Sequence, residues 1–285
     1  MPGRVEGALA VDAHCHLWRY RADELAWIDD AMAVLRRDFV AEDVAREFAA
    51  AGVRGGVAVQ ARSSLAETEF LLAAQASCSA ILGVVGWVDL CAADAGAVVE
   101  RYAGRLAGVR HIAQSEPDDF LLRDDFQRGV AQLAGAGMTY DILIYPRQLA
   151  AACAFADRNP DLRLVLDHLA KPPIASGELE PWARDLRALA RRPHVHVKAS
   201  GLVTEADWAR WTPDQLRRYL DIAFEAFGAD RVMFGSDFPV CTVAASYAQV
   251  VRVIDDYCAA LSGSERAGVM ADNAIAFYGL GAGER

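Results

Sequence analysis

Two histidines separated by one residue, His14 and His16, stand at the end of the apolar run that opens the chain. On an extended strand, residues two apart project to the same side, so both imidazoles face one way and Cys15 the other. Two imidazoles side by side make half of a site for a first-row metal ion. A third imidazole, His168, follows the apolar stretch Leu164-Val165-Leu166, and a carboxylate, Asp237, follows Met233-Phe234-Gly235-Ser236. An acidic group directly after an apolar strand requires a buried partner or a solvent-filled pocket. Together with His111, which ends another such run, these groups could hold a cation, activate a water or stabilise an oxyanion.

Spacing alone does not make a site, and the chain carries its own control. His194 and His196 have the same separation as His14 and His16 but follow Arg191-Arg192-Pro193, at the start of a strand and not its end. They are read as structural. Asp167, next to His168, is expected to face the helices or an arginine, and Asp12 to be a carboxylate that either backs the site residues or caps backbone.

Elements that could bring the reactive groups together follow from periodicity. Eight apolar, β-branched-rich runs alternate with amphipathic stretches: Ala10–Trp18, Gly55–Ala61, Ile81–Leu90, Leu106–Gln114, Thr139–Pro146, Arg163–Leu169, Val195–Leu202 and Arg231–Val240. Between them, helices are expected at Ala41–Ala51, Leu65–Ala76, Arg123–Ala136, Gln148–Asp157, Pro181–Arg191 and Pro213–Phe227. Ser64 with Glu67 reads as a capping box, Thr212-Pro213 as N-cap and first position, and Gly52, Gly137 and Gly228 as left-handed caps. Strands buried on both faces, eight in number, predict one (β/α)8 barrel spanning residues 1–285. In that architecture the chemistry sits at the C-terminal ends of the strands. Other residues at those ends are Gln60, Trp87, Arg110, Tyr145 and Arg147, with Lys171 just beyond. Trp27 lies in the long loop after the first strand, where an aromatic ring could stack on a sugar or pack within the loop.

Composition narrows the partners. The 285 residues are 54% hydrophobic, and 29 Lys+Arg against 39 Asp+Glu leave a net charge of −10. So acidic a chain is poorly suited to nucleic acid or an anionic membrane. Its longest apolar run, Ile81 to Val88, is far too short for a membrane span. The first apolar run is cut short by Asp12, too early for an export signal. Six dispersed cysteines without a CxxC pair fit free thiols in a reducing cytoplasm.

Taken together, His14-x-His16, His168 and Gly235-Ser236-Asp237 resemble the amidohydrolase superfamily. The stretches Gly108–Ile112, Tyr140–Leu149, Leu166–Pro172, Lys198–Leu202 and Met233–Cys241 are similar to its sugar-acid lactonases, the branch that includes L-fucono- and L-rhamnonolactonases. That resemblance implies a hydrolase opening the lactone of an aldonic acid, a small-molecule partner, with a homo-oligomer as a further expectation. It implies one divalent metal, zinc or manganese, on His14, His16 and Asp237, with His168 a ligand or a carbonyl-polarising group. Similar lactonases work without a metal, and that alternative stays open at this point. Asp237, His168 and His111 are the implied catalytic groups. Trp27, Gln60, Trp87, Arg110, Tyr145 and Lys171 are the implied substrate contacts. Alternatives of the same architecture are a lactonase for a pyrone dicarboxylate, a metal-dependent decarboxylase, and a non-catalytic sugar-acid binding barrel.

Overall fold

A computed structural model describes residues 10–281. The segment 1–9, part of the stretch read as too short for an export signal, lies outside the described residues. Eight strands appear in chain order: β1 (Ala10–Cys15), β2 (Val53–Val59), β3 (Ile81–Gly86), β4 (Gly108–His111), β5 (Thr139–Ile142), β6 (Leu164–Leu166), β7 (Val195–Ala199) and β8 (Val232–Phe234). Each pairs in parallel with the next, in the order β1 to β8. At the C-terminal end the ring is drawn together where His16 N donates to Phe238 O (2.6 Å) and Asp237 N donates to His14 O (2.8 Å). This is a single (β/α)8 barrel, and the bonds that close it place two of the histidines beside the carboxylate.

Helices α1 (Ala41–Ala51), α2 (Leu65–Ser77), α3 (Ala95–Tyr102), α4 (Asp124–Gly135), α5 (Leu149–Arg158), α6 (Trp182–Ala190), α7 (Pro213–Phe227) and α8 (Tyr247–Cys258) form the outer layer. The six expected helices are all present to within two residues at each end. Thr212 caps α7 as anticipated, its side chain accepting from Gln215 N. Ser64 accepts from Glu67 N in the same way. The reciprocal half of that capping box is absent because Glu67 turns instead to Ala61 N and Arg62. Gly52 is left-handed, whereas Gly228, with φ 74° and ψ 157°, is not a left-handed cap.

Apart from β2, the strands are shorter than their apolar runs, because the polar ends leave the ladder to build loops. Two cores result. The larger lies between strands and helices; the smaller fills the barrel with Val11, Ala13, Val57, Val59, Val85, Val165 and Met233. After α9 (Gly263–Ala267), the C-terminal segment ending in α10 (Asn273–Tyr278) packs Phe277, Tyr278 and Leu280 onto that inner cluster. Ala271 to Leu280 thus stopper the end of the barrel opposite the reactive groups. Among the described residues no helix is long and apolar enough to cross a membrane.

Candidate active site

β1 positions His14 and His16 through an irregularity. Its register with β2 shifts between Asp12 and Cys15. Asp12 therefore faces outward, accepting from His14 N (2.9 Å), Ser236 N (2.9 Å) and Tyr247 Oη (3.2 Å), while His14 two residues later turns inward. Asp12 thus pins the ends of β1 and β8 to α8, the capping one of the two roles expected of it. Burial pushes its carboxyl up to about 6 despite those donors.

The chain after β6 adopts an unusual backbone. His168, Leu169, Ala170 and Lys171 all have φ between 52° and 58°, a left-handed turn of four non-glycine residues. Each such residue costs on the order of 1–2 kcal/mol. Surrounding contacts hold the turn: Trp182 Nε1 donates to Leu169 O (2.7 Å), and Nδ1 of His168 lies 2.8 Å from Ser200 Oγ. The turn aims His168 and Lys171 at one cavity. Asp237 is also left-handed, at φ 59°. Two glycines let the rings close in. A Cβ on Gly235 would lie 2.9 Å from Cβ of His14, and one on Gly201 2.8 Å from the His168 ring.

Four side chains converge. Oδ1 of Asp237 lies 3.3 Å from Nε2 of His16, 3.8 Å from that of His14 and 3.9 Å from that of His168. Nε2 of His14 and Nε2 of His16 are 3.2 Å apart. Tetrahedral ligands of a first-row ion with bonds of about 2.0–2.1 Å sit about 3.3 Å from one another; ligand atoms of His14, His168 and Asp237 all lie within 4.8 Å of one another, with His16 beside them, so these residue types can close on a metal. The outer nitrogens fit it as well. Nδ1 of His16 donates to Val59 O (2.8 Å), which leaves its Nε2 bare. Asp167 Oδ1, a buried oxygen that also faces Lys198 Nζ at 3.0 Å, is 3.3 Å from Nδ1 of His14 and can take its proton. Such outward hydrogen bonds orient imidazoles as ligands. Nη1 of Arg110, 3.2 Å from Nε2 of His14, competes for the same lone pair.

Burial keeps His14 and His168 neutral. Burial, helped by Lys198, lowers His14 well below its ordinary value, and burial lowers His168 to about 4. Burial opposes ionisation of Asp237, but the imidazoles around it, of His168, His16 and His14, outweigh it, and the carboxyl is held below the usual range. Beneath His14 lies a closed charge network. Lys198 Nζ is 3.0 Å from Nδ1 of His14, 2.6 Å from Asp141 Oδ2 and 3.0 Å from Asp167 Oδ1. Arg110 Nη1 donates to the other oxygen of Asp167 (2.9 Å), and Tyr278 Oη of the stopper donates to Asp141 (2.8 Å).

Above the cluster opens a cavity of about 440 Å³, walled by His16, Arg110, His168 and Asp237 and rimmed by Trp27, Tyr145 and Lys171. Seven of the site residues named from sequence therefore meet at one place, with His14 just below. The others do not. His111 alternates with Arg110 on β4, and since Arg110 takes the interior, His111 points away: it stacks on Phe120 and meets Glu116 Oε1 at 3.1 Å. Gln60 is fully buried behind the wall, where it accepts from Arg110. Trp87 is anchored through its backbone to Thr68 Oγ1, outside the cavity lining. His194 meets Ala156 O and His196 packs on Phe277, both remote from the cluster. Sequence reasoning did not single out Glu205, which lines the cavity after β7, or Asp141 and Tyr278. Only Asp141, a carboxylate inside an apolar strand, carried a signal. A groove between α7 and α8, about 500 Å³ with Trp211, Arg217 and Tyr257, is somewhat larger but brings no histidine to a carboxylate.

The pattern of the amidohydrolase family matches residues 11–280. The chain is 42% identical to L-fucono-1,5-lactonase of Burkholderia multivorans, covering 96% of this chain and 97% of that protein. It is 36% identical to L-fucono-1,5-lactonase of Burkholderia ambifaria, covering 94% of each. The crystal structure of an amidohydrolase from Burkholderia multivorans with bound zinc is similar at TM-score 0.93 and 41% identity, covering 96% of this chain and 100% of that one. By its strand-end histidines and aspartate, its barrel and these matches, the chain belongs to the amidohydrolase family.

Proposed function

We propose that the protein hydrolyses the lactone of a neutral aldonic acid, with L-fucono-1,5-lactone, the substrate named for its relatives, as the first candidate. The observation that carries this reading is the pairing of Arg110 and Lys171, the arginine and the lysine that line the cavity. Arg110 is matched to Asp167 at 2.9 Å and Lys171 to Glu205 at 3.3 Å. Beyond the lining, Arg62 is held by Glu24 and Glu67, and Arg147 by Asp118. A pyrone dicarboxylate would need unpaired guanidinium or ammonium groups; a polyhydroxy lactone needs donors and acceptors of both kinds, which this wall offers.

In the chemistry we infer, the Asp237 carboxylate takes a proton from water as that water attacks the lactone carbonyl carbon. The ring C–O bond then breaks, and the protonated Asp237 returns its proton to the departing alkoxide. Arg110 and neutral His168 face the developing oxyanion, while Tyr145, Lys171 and Trp27 orient the ring. His14, His16, His168 and Asp237 would hold a divalent cation, zinc or manganese, which when bound polarises the carbonyl and acidifies water. A cytoplasmic setting agrees with the six free cysteines.

Acid release measured over fucono-, rhamnono-, galactono- and arabinonolactones, with 2-pyrone-4,6-dicarboxylate as contrast, tests the reading. Turnover of a neutral series is expected. Turnover of the dicarboxylate alone, or of nothing, overturns it.

A further inference from the structure

Resting on that functional reading, we infer that Glu205 is a specificity-determining residue whose carboxylate, by pairing with Lys171, keeps lactones that carry an extra carboxylate out of the cavity. Glu205 lies in the loop after β7 and Lys171 in the left-handed turn after β6, so the pair bridges two neighbouring strand ends across the rim. Backbone bonding fixes both arms: Ala175 N donates to Glu205 O (2.9 Å), and Lys171 N donates to His168 O (2.7 Å). On its other side the Lys171 ammonium sits 5.6 Å from the centroid of the Tyr145 ring. Both side chains are only about one-fifth exposed, at 18% and 23%, so the pair is partly shielded from salt and water.

Charge at the cavity explains why the pair discriminates. Arg110 already serves Asp167, and Asp237 is an anion in the floor. Lys171 is the remaining arginine or lysine of the lining that an incoming carboxylate could meet, and Glu205 occupies it. A carboxylated lactone then meets the Glu205 carboxylate at the rim, with no free ammonium or guanidinium among the lining residues to offset it. A neutral polyol meets no such repulsion, and can bond Lys171 and Glu205 together through adjacent hydroxyls. Rejection through an occupied cation is specificity by repulsion of the wrong ligand.

The test is binding of 2-pyrone-4,6-dicarboxylate, a dianionic lactone, by calorimetry, alongside turnover of neutral lactones. Glu205→Gln retains the size of the side chain and frees Lys171. We expect it to tighten binding of the dianion by at least tenfold relative to wild type and to lower kcat/KM on the neutral lactone. The double variant Glu205→Gln/Lys171→Gln is expected to lose the gain, since the freed cation is gone. An unchanged dianion affinity in Glu205→Gln, with wild type active on neutral lactones, overturns this inference alone. A gain that persists in the double variant also overturns it, because Lys171 would not be its source. A wild type inert on all neutral lactones overturns the functional reading and this inference with it.

Discussion

Nζ of Lys198 lies 3.0 Å from Nδ1 of His14, on the opposite edge of the imidazole from Asp237. The ammonium is wholly buried, and so are Asp141 and Asp167, its two carboxylate neighbours. The site is therefore built on a desolvated ion cluster rather than on apolar packing. Such a cluster gives its histidine a rigid backing, because no member can move without stranding a charge.

Removing one partner from a buried pair is far more damaging than removing both. Lys198→Met leaves Asp141 and Asp167 facing each other without the ammonium, and a loss of about 3–5 kcal/mol is expected. Adding Asp141→Asn to that variant should recover part of the loss. Denaturant unfolding of the two variants checks this; a double variant no more stable than the single one contradicts the picture of a coupled cluster.

Asp237 is the one carboxylate among the three Nε2 atoms, and Asp237→Asn preserves its shape while removing its basicity. General acid–base catalysis contributes about 10²–10⁴-fold, so kcat on the best lactone should fall by at least about a hundredfold with KM little changed. Retention of more than a tenth of wild-type turnover is incompatible with a proton-accepting role.

The donor set also predicts where zinc binds. His16→Ala should weaken zinc binding by more than about tenfold, as loss of groups around a metal typically does. His194→Ala, at the far end of the barrel beside Ala156, should leave it unchanged. Equilibrium dialysis with zinc, followed by metal analysis, reads this without reference to turnover. Equal zinc retention by the two variants would place the ion elsewhere.

Glu67 gives a pH dependence of stability. Its side chain is fully buried at the start of α2, and burial raises its pKa from 4.5 to about 7, against the pull of Ala61 N and Arg62. Because the folded pKa lies above the unfolded one, the folded state binds the extra proton. Its stabilising contribution is complete below about 4.5 and is lost as pH rises through about 7. The swing amounts to about 3 kcal/mol. Glu67→Gln, which keeps an acceptor for Ala61 N, should gain stability relative to wild type across that window. A difference in unfolding free energy that does not change between pH 5 and 8 argues against it.

How far the site was legible follows the periodicity of the chain. Eight apolar runs and their polar ends were enough to predict the barrel and to put His14, His16, His168 and Asp237 at one end of it. Alternation also fails at identifiable places. The register shift in β1 sends Asp12 and His14 to opposite sides although they are two apart. On β4 only one of the adjacent Arg110 and His111 can face the interior, and the sequence does not say which; Gln60 and Asp167 decide for Arg110. Glu205 and Tyr278 become visible only through the long-range contacts that place them, with Lys171 and with Asp141.

Gly201 and Gly52 allow backbone conformation to be separated from contact. Both have positive φ, 66° and 73°, so alanine at either costs about 1 kcal/mol from the left-handed backbone alone. At Gly52, after α1, nothing lies within 4 Å of the added Cβ. At Gly201 the added methyl would stand 2.8 Å from Cγ and Nδ1 of His168. That ring is already fixed by Ser200 Oγ and by the left-handed turn, so the methyl must push His168 away from Asp237 or shift the loop after β7. Gly52→Ala should therefore lose stability and keep kcat. Gly201→Ala should lose more stability and also at least about a hundredfold in kcat, the penalty expected when a reacting group is displaced by about 1 Å. Equal kcat in the two variants would mean that the position of His168 does not govern the reaction, and the role assigned to that imidazole would have to be withdrawn.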